Sequence, residues 1–186
     1  MVQQTINDNA LVEILFDVFR KHGYEGTSIA QLSEATGLKK SSLYHRFPNG
    51  KADMAKAVVC HVGTLLTDYL VTPLLNSQVS PEKRFNDMLV TVKGFYSEGS
   101  KNCLLNVLSL GNAENEIKSL LNESYNNWLT ALTKLALDAG MSQKIAKEKA
   151  EHFLIVVEGA LVIQRLTNNQ ERFGNSLNYE KKQFFS

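Results

Sequence analysis

Proline is scarce in this chain, three among 186 residues, and no evident strand-hairpin signal interrupts the helical periodicity. Both absences favour long helices, because a proline inside a helix removes a hydrogen bond and clashes with the preceding turn. Cysteine is scarcer still. Cys60 and Cys103 are too few for a disulfide framework or a zinc site, and they fit a reducing compartment. The opening M-V-Q-Q-T-I-N-D-N has neither the basic start nor the apolar core of a signal peptide, and the longest apolar run, near Phe153, is interrupted by Glu158. A cytoplasmic protein with no membrane partner is expected. Catalytic signatures are missing as well. There is no glycine-rich phosphate loop and no H-E-x-x-H, and the run Glu148 to His152 lacks the Glu-x-x-His spacing of a di-iron bundle. No nucleophile, base and orienting acid can be assigned, so the expectation is no enzyme, no cofactor and no metal. A formal net charge of +1 argues against a uniformly basic chain.

What is there begins with size: 186 residues at 44% hydrophobic content can bury a sizeable core in one compact unit or two small ones. The most informative stretch is Thr27 to Lys51, T-S-I-A-Q-L-S-E-A-T-G-L-K-K-S-S-L-Y-H-R-F-P-N-G-K. Ser28 with Gln31 three residues on has the form of a capping box, which starts a short helix. Ile29, Leu32 and Ala35 recur along it at helical spacing, and Ser33 is small enough for a second helix to cross closely. Gly37 can take the positive φ that a tight turn between crossed helices requires. A second helix then spans about Lys39 to Phe47. Leu38, Leu43 and Phe47 face inward, leaving Lys39, Lys40, Ser41, Ser42, Tyr44, His45 and Arg46 outside. This outer set of donors and cations suits phosphate oxygens and the base edges of a major groove. Between Lys39 and Lys56 five cations face Asp53 alone, a local excess of four. A patch of this kind attracts phosphate within a Debye length of roughly 8 to 10 Å.

At these residues the chain resembles the tetracycline-repressor (TetR) family of bacterial regulators, from about Ala10 to Val58: an amphipathic first helix, Phe19 and Gly23-Tyr24 before Thr27-Ser28, then G-L-K-K-S-S-L-Y-H-R-F and Lys51. The resemblance implies a homodimer that binds a near-palindromic double-stranded DNA operator, a repressor released when a small-molecule inducer enters the C-terminal domain. By position, Thr27 and Ser28 touch phosphates, Lys40 to Tyr44 enter the groove, and His45 and Lys51 hold the backbone. Two departures stand out. Lys39 occupies a position where a small hydroxyl residue usually caps the recognition helix, and Arg46 stands where His or Tyr is common.

The expected fold is all-α with about nine helices: a three-helix helix-turn-helix domain over residues 1–50 and a helical ligand-binding and dimerisation domain over 51–186. Pro48-Asn49-Gly50 is turn chemistry, and a long helix runs from Lys51 to Thr72, where Pro73 stops it. Ser80-Pro81-Glu82 starts another that carries to Gly99. A short helix covers Asn102 to Leu110 and ends at Gly111. The next runs from Ala113 to Ala139 with Gly140 as its terminator, and Ser142 caps the one after. The stretch H-F-L-I-V-V-E-G-A-L-V-I is apolar on nearly every side and needs two buried faces. It is read, with a last helix over Glu171 to Phe184, as a dimer seam containing His152, Phe153, Val157, Gly159, Ala160, Leu161, Phe173 and Leu177. Spacing of about four places Phe173, Leu177, Lys181 and Phe184 on one stripe. Candidate pocket walls are His61, Leu65, Tyr69, Met88, Phe95, Tyr96, Cys103, Tyr125 and Trp128.

Cys103, beside Lys101 at a helix start, reads either as a small buried hydrophobe or as a reactive thiol. Cys103-Leu104-Leu105 resembles a subgroup of the family in which a cysteine opens the sixth helix and in some members senses oxidants, although Asn102 replaces the glycine found there. The competing class of function is a helical dimeric adaptor or enzyme that inherited the reader but lost operator binding.

Overall fold

The computed structural model describes residues 6–110 and 113–186 and is all-α, with nine helices and no strand among the described residues. It divides into two compact units: the chain up to Gly63 with Leu104–Leu121, and Thr64–Cys103 with Asn122–Ser186.

In the first unit α1 (Asp8–His22) starts at Asn7, whose side chain accepts from the Ala10 amide at 2.8 Å. Leu11, Leu15, Phe16 and Phe19 form its buried stripe. Helix α2 (Ile29–Thr36) begins with the complete capping box of Ser28 and Gln31, and Gly37 ends it in the left-handed region (φ 67°). Thr36, not Ala35, joins Leu32 in the core, because its hydroxyl can donate back to the Leu32 carbonyl at 2.7 Å. Helix α3 (Lys40–Arg46) is anchored by fully buried Leu43, and α4 starts at Lys51 and stays in this unit as far as Gly63. Helix α6 (Leu104–Ser109) packs on α1. The two approach so closely that a Cβ on Gly23 would sit 3.3 Å from the Val107 carbonyl. The stop expected at Gly111 lies outside the described residues.

Proline does not end α4 where expected. The helix runs Lys51–Leu66, widens into a π turn over Thr67–Val71 and continues through Thr72–Leu74. Pro73 has no N–H to donate and its ring crowds the carbonyl four residues back. Widening the turn, so that Thr72 N–H reaches Thr67 O, relieves that conflict. Lys51–Leu74 is apolar enough by length and composition to cross a membrane, yet Met54, Val58, Val62, Leu66, Leu70 and Leu74 give it one buried stripe. That is the pattern of a helix that packs one face against a protein core.

The second unit holds α5 (Pro81–Phe95), most of α7 (Asn115–Asp138), α8 (Gln143–Thr167) and α9 (Arg172–Gln183). Ser80 and Ser142 cap α5 and α8 as expected. Helix α5 ends at Phe95 and not at Gly99, because Ser97 and Glu98 already turn left-handed (φ 46° and 55°). Its core is aromatic: Phe85 stacks on Phe184 at 4.2 Å, and Phe153 meets both rings and Trp128 edge-on. On α9 the buried positions are Phe173, Leu177 and Glu180, with Lys181 outside. A helix of 3.6 residues per turn returns after Leu177 at i+3, and a strict spacing of four drifts off the face.

Candidate nucleic-acid interface

The reader is built from side chains whose polar atoms have nowhere inward to go. Lys39, Lys40, Ser41 and His45 are exposed on α3, Ser42 is half-buried, and Tyr44 is 47% exposed. The Lys39 side chain makes no cap bond to its helix, as the replacement of a hydroxyl by an ammonium dictates, since an ammonium has no acceptor. Tyr44 lies against Gly50: a Cβ there would stand 2.9 Å from Tyr44 Cε1, and Gly50 itself has φ 64°. Glycine at 50 therefore serves both the turn and the seat of the tyrosine.

Asp53 holds that turn from the other side. Its carboxylate accepts from the Asn49 backbone N–H at 2.8 Å and from Asn49 Nδ2 at 3.1 Å. These two bonds, helped by Lys56, keep its acid below the usual carboxylate range. In the sequence Asp53 appears only as the lone negative charge of the patch, although an acid in the first turn of a helix behind Asn-Gly is a capping signal.

Several expected DNA contacts are otherwise engaged. Thr27 is 2% exposed and its hydroxyl donates to the Gly23 carbonyl at 2.6 Å. A hydroxyl has one proton, so Thr27 closes the turn and offers no donor to phosphate. Ser28 is exposed, with its hydroxyl inside the capping box. Lys51 Nζ donates to the Tyr24 carbonyl at 2.9 Å and lies 4.4 Å from the centre of the Tyr24 ring. That ring stacks loosely on Phe19 at 6.4 Å, and partial burial, then Glu114 and Glu25, push its phenol above the ordinary value. Lys56 pairs with Glu116. Arg46 forks onto the N-terminus of α1: Nη1 and Nη2 each donate to the Ile6 carbonyl at 3.2 Å, and Nη1 also reaches Asp8 Oδ1 at 3.1 Å. The exposed positive charge of the reader is thus concentrated on Lys39 and Lys40.

The pocket candidates do not converge as one set. His61 Nε2 is 2.7 Å from Glu13 Oε1 in the first unit. In the second, Tyr69 and Tyr125 are exposed, Leu65 and Phe95 half-buried, and Met88, Tyr96, Cys103 and Trp128 buried. The Tyr96 hydroxyl donates to Cys103 Sγ at 3.4 Å, and its ring meets Phe95 and Phe173 edge-on. Trp128 Nε1 is buried without a hydrogen-bond partner among the described residues.

The seam candidates are divided. Phe153, Val157, Ala160, Leu161, Phe173 and Leu177 are buried within the chain's own core; of that set Gly159 is exposed, as is His152. Packing of α9 and α5 takes up one face of α8. The opposite face shows Ile155 (68% exposed), Val162, Ile163 and Leu166 (77%), with Tyr179 on α9. Beside them His152, Arg172, Tyr179 and Glu180 line an open groove of about 610 Å³. Sequence periodicity registers that α8 has two apolar faces but not which one the protomer keeps.

Two family profiles match the chain. Bacterial regulatory proteins of the tetR family match residues 15–58, and the C-terminal domain of LmrA/YxaF-like transcriptional regulators matches residues 88–175. The chain is similar to the uncharacterized HTH-type transcriptional regulator YxaF of Bacillus subtilis, 21% identical over 158 residues that cover 83% of this chain and 82% of that protein. Its fold is similar to that of a TetR transcriptional regulator from Legionella pneumophila (TM-score 0.83, 18% identity, covering 96% and 98% of the two chains). It is also similar to a TetR variant from Acinetobacter baumannii solved in complex with minocycline (TM-score 0.60, 10% identity, 97% and 95%). With a capped helix-turn-helix, an outward cationic face on α3 and matching profiles at both ends, the chain belongs to the TetR family of DNA-binding transcriptional regulators, which are not enzymes.

Proposed function

We propose that the protein is a cytoplasmic repressor that binds a near-palindromic operator as a homodimer and lets go when a small-molecule inducer enters its second unit. The observation that carries this reading is the α3 face: Lys39, Lys40, Ser41, Tyr44 and His45 stand outward on a short helix anchored by buried Leu43. Such a helix fits a major groove, and two copies on a twofold axis match half-sites about 34 to 36 Å apart. Dimerisation is supported by the outer stripe of α8, whose Ile155, Val162, Ile163 and Leu166 gain nothing from water. An inducer site is supported by Trp128, whose unsatisfied buried N–H suits a ligand acceptor, and by the minocycline bound to the structural neighbour from Acinetobacter baumannii. Binding is reciprocal: whatever the inducer costs in operator affinity, the operator costs in inducer affinity.

The test is selection of bound fragments from random DNA, then a screen for small molecules that displace the winner. A palindromic consensus and a displacer that quenches Trp128 fluorescence are the expected results. Retardation of no sequence at physiological salt would overturn the proposal.

A further inference from the structure

We infer that Arg46 is a positioning residue of the reader and not one of its phosphate contacts: its guanidinium ties the C-terminal end of α3 to the start of α1, and the sequence preference of Lys40 to Tyr44 depends on that tie. The inference rests on the reading of α3 as the DNA-recognition helix.

Helix α3 has seven residues, too few to be stable without tertiary support. Its N-terminal end has no side-chain cap at Lys39, and within it Leu43 alone is fully buried. A second point of attachment is needed to fix its rotation, and the described contacts supply one at the other end. Arg46 spans 40 residues of sequence to give two N–H groups to the Ile6 carbonyl, and 38 residues to reach Asp8. Ile6 precedes the Asn7 cap of α1, so this carbonyl lies outside the helix's own ladder and is open to an external donor. The planar fork of arginine reaches two acceptors at once, which an ammonium on a flexible stem does not reproduce. Only 27% of the Arg46 side chain is exposed, against 90% for Asp8. An ion pair with so exposed an acid contributes little by itself, so most of the tie is the bond to the Ile6 carbonyl. Because the guanidinium is spent on α1, its loss should disturb how the groove-facing side chains are presented while leaving the number of phosphate contacts alone.

The experiment measures binding of the full chain to its selected DNA and to a scrambled duplex, across a salt series, for wild type, Arg46→Ala, Arg46→Lys, Asp8→Ala and the Asp8→Ala/Arg46→Ala pair. Arg46→Ala and Arg46→Lys should each weaken specific binding by about tenfold, with the salt slope and scrambled-DNA binding unchanged. Asp8→Ala should lose about twofold, and nothing further once Arg46 is gone. Amide exchange over Lys40 to Arg46 should quicken in both Arg46 variants. Should Arg46→Ala fail to fold, Arg46→Lys and Asp8→Ala decide the matter. Rescue by lysine, a salt slope reduced by about 0.9 in Arg46→Ala, or tighter binding to every duplex after Asp8→Ala would each make Arg46 a phosphate contact and overturn the inference. Wild-type protein that retards no DNA at all overturns the recognition helix itself, and the tie's role with it.

Discussion

Thr27 and Lys40 carry neighbouring expectations at the level of single residues and differ in their surroundings: one side chain is buried and bonded inside the chain, the other stands in solvent. The Thr27 hydroxyl is buried and given to Gly23. Thr27→Val should therefore destabilise the fold by about 1 to 3 kcal/mol, the cost of leaving a buried acceptor without its donor, seen as a lower urea midpoint with no change in the salt dependence of DNA binding. Lys40 is exposed at the start of α3. Lys40→Ala should leave stability within about 0.5 kcal/mol and lower the slope of log affinity against log salt by about 0.9, one phosphate contact's worth. Gly50 belongs to the same scale. Alanine there places a Cβ 2.9 Å from the Tyr44 ring on a backbone with φ 64°, so Gly50→Ala should alter the base preference read in a binding selection in the direction that Tyr44→Ala does. The capping box of Ser28 and Gln31 was legible in the sequence because its partners lie three residues apart. The partners of Thr27, Arg46 and Lys51 were not legible for the converse reason: each donates to a backbone carbonyl whose position only the folded chain defines.

Helix starts were legible for the same local reason, as Ser80 and Ser142 show, whereas the course of α4 past Pro73 was not, because a π turn leaves no mark in the residue pattern. That irregular end is held by Arg84, which is 4% exposed and donates to the Leu74 carbonyl at 2.7 Å and to Asp138 at 3.0 Å. The clamp joins the starts and ends of α4, α5 and α7 through one guanidinium. Removing the acid leaves a buried cation with part of its compensation gone. Asp138→Asn should cost about 1 to 2 kcal/mol, less than for a fully enclosed pair because Asp138 is partly open to solvent. The pH dependence has a definite sign. Lys134 first, and then Arg84, hold the Asp138 carboxyl below its ordinary range, so its stabilisation is complete above roughly pH 4 and is lost as the pH falls through the depressed folded value. Urea midpoints of wild type and Asp138→Asn should differ near neutrality and converge in acid. A constant gap down to the lowest pH at which both fold would remove the carboxylate's charge from the account.

For the whole molecule, the all-α class followed from periodicity and turn chemistry, whereas the two compact units do not follow a division at residue 50: Leu104–Leu121 groups with the first. What periodicity cannot supply is the assignment of two apolar faces on one helix to two different partners. Helix α8 satisfies Phe153, Val157 and Leu161 within its own chain, so in the proposed dimer the second copy meets Ile155, Val162, Ile163 and Leu166. Charge on that outer stripe and truncation on the inner one therefore separate assembly from folding. Ile155→Glu with Leu166→Glu should yield a folded monomer by sedimentation, since neither residue supports the protomer's core and each introduces like-charge repulsion across a twofold axis. Val157→Ala should instead lower stability by about 1 to 3 kcal/mol while the protein stays dimeric. The monomer keeps both Lys39 and Lys40 and should still hold a half-site, but the second half-site no longer binds as part of the same molecule. Affinity for the intact palindrome should fall by 100-fold or more, on the order of the advantage that linking two sites confers. A monomer that binds the palindrome as tightly as wild type would show that one reader suffices and that the outer face of α8 has another purpose.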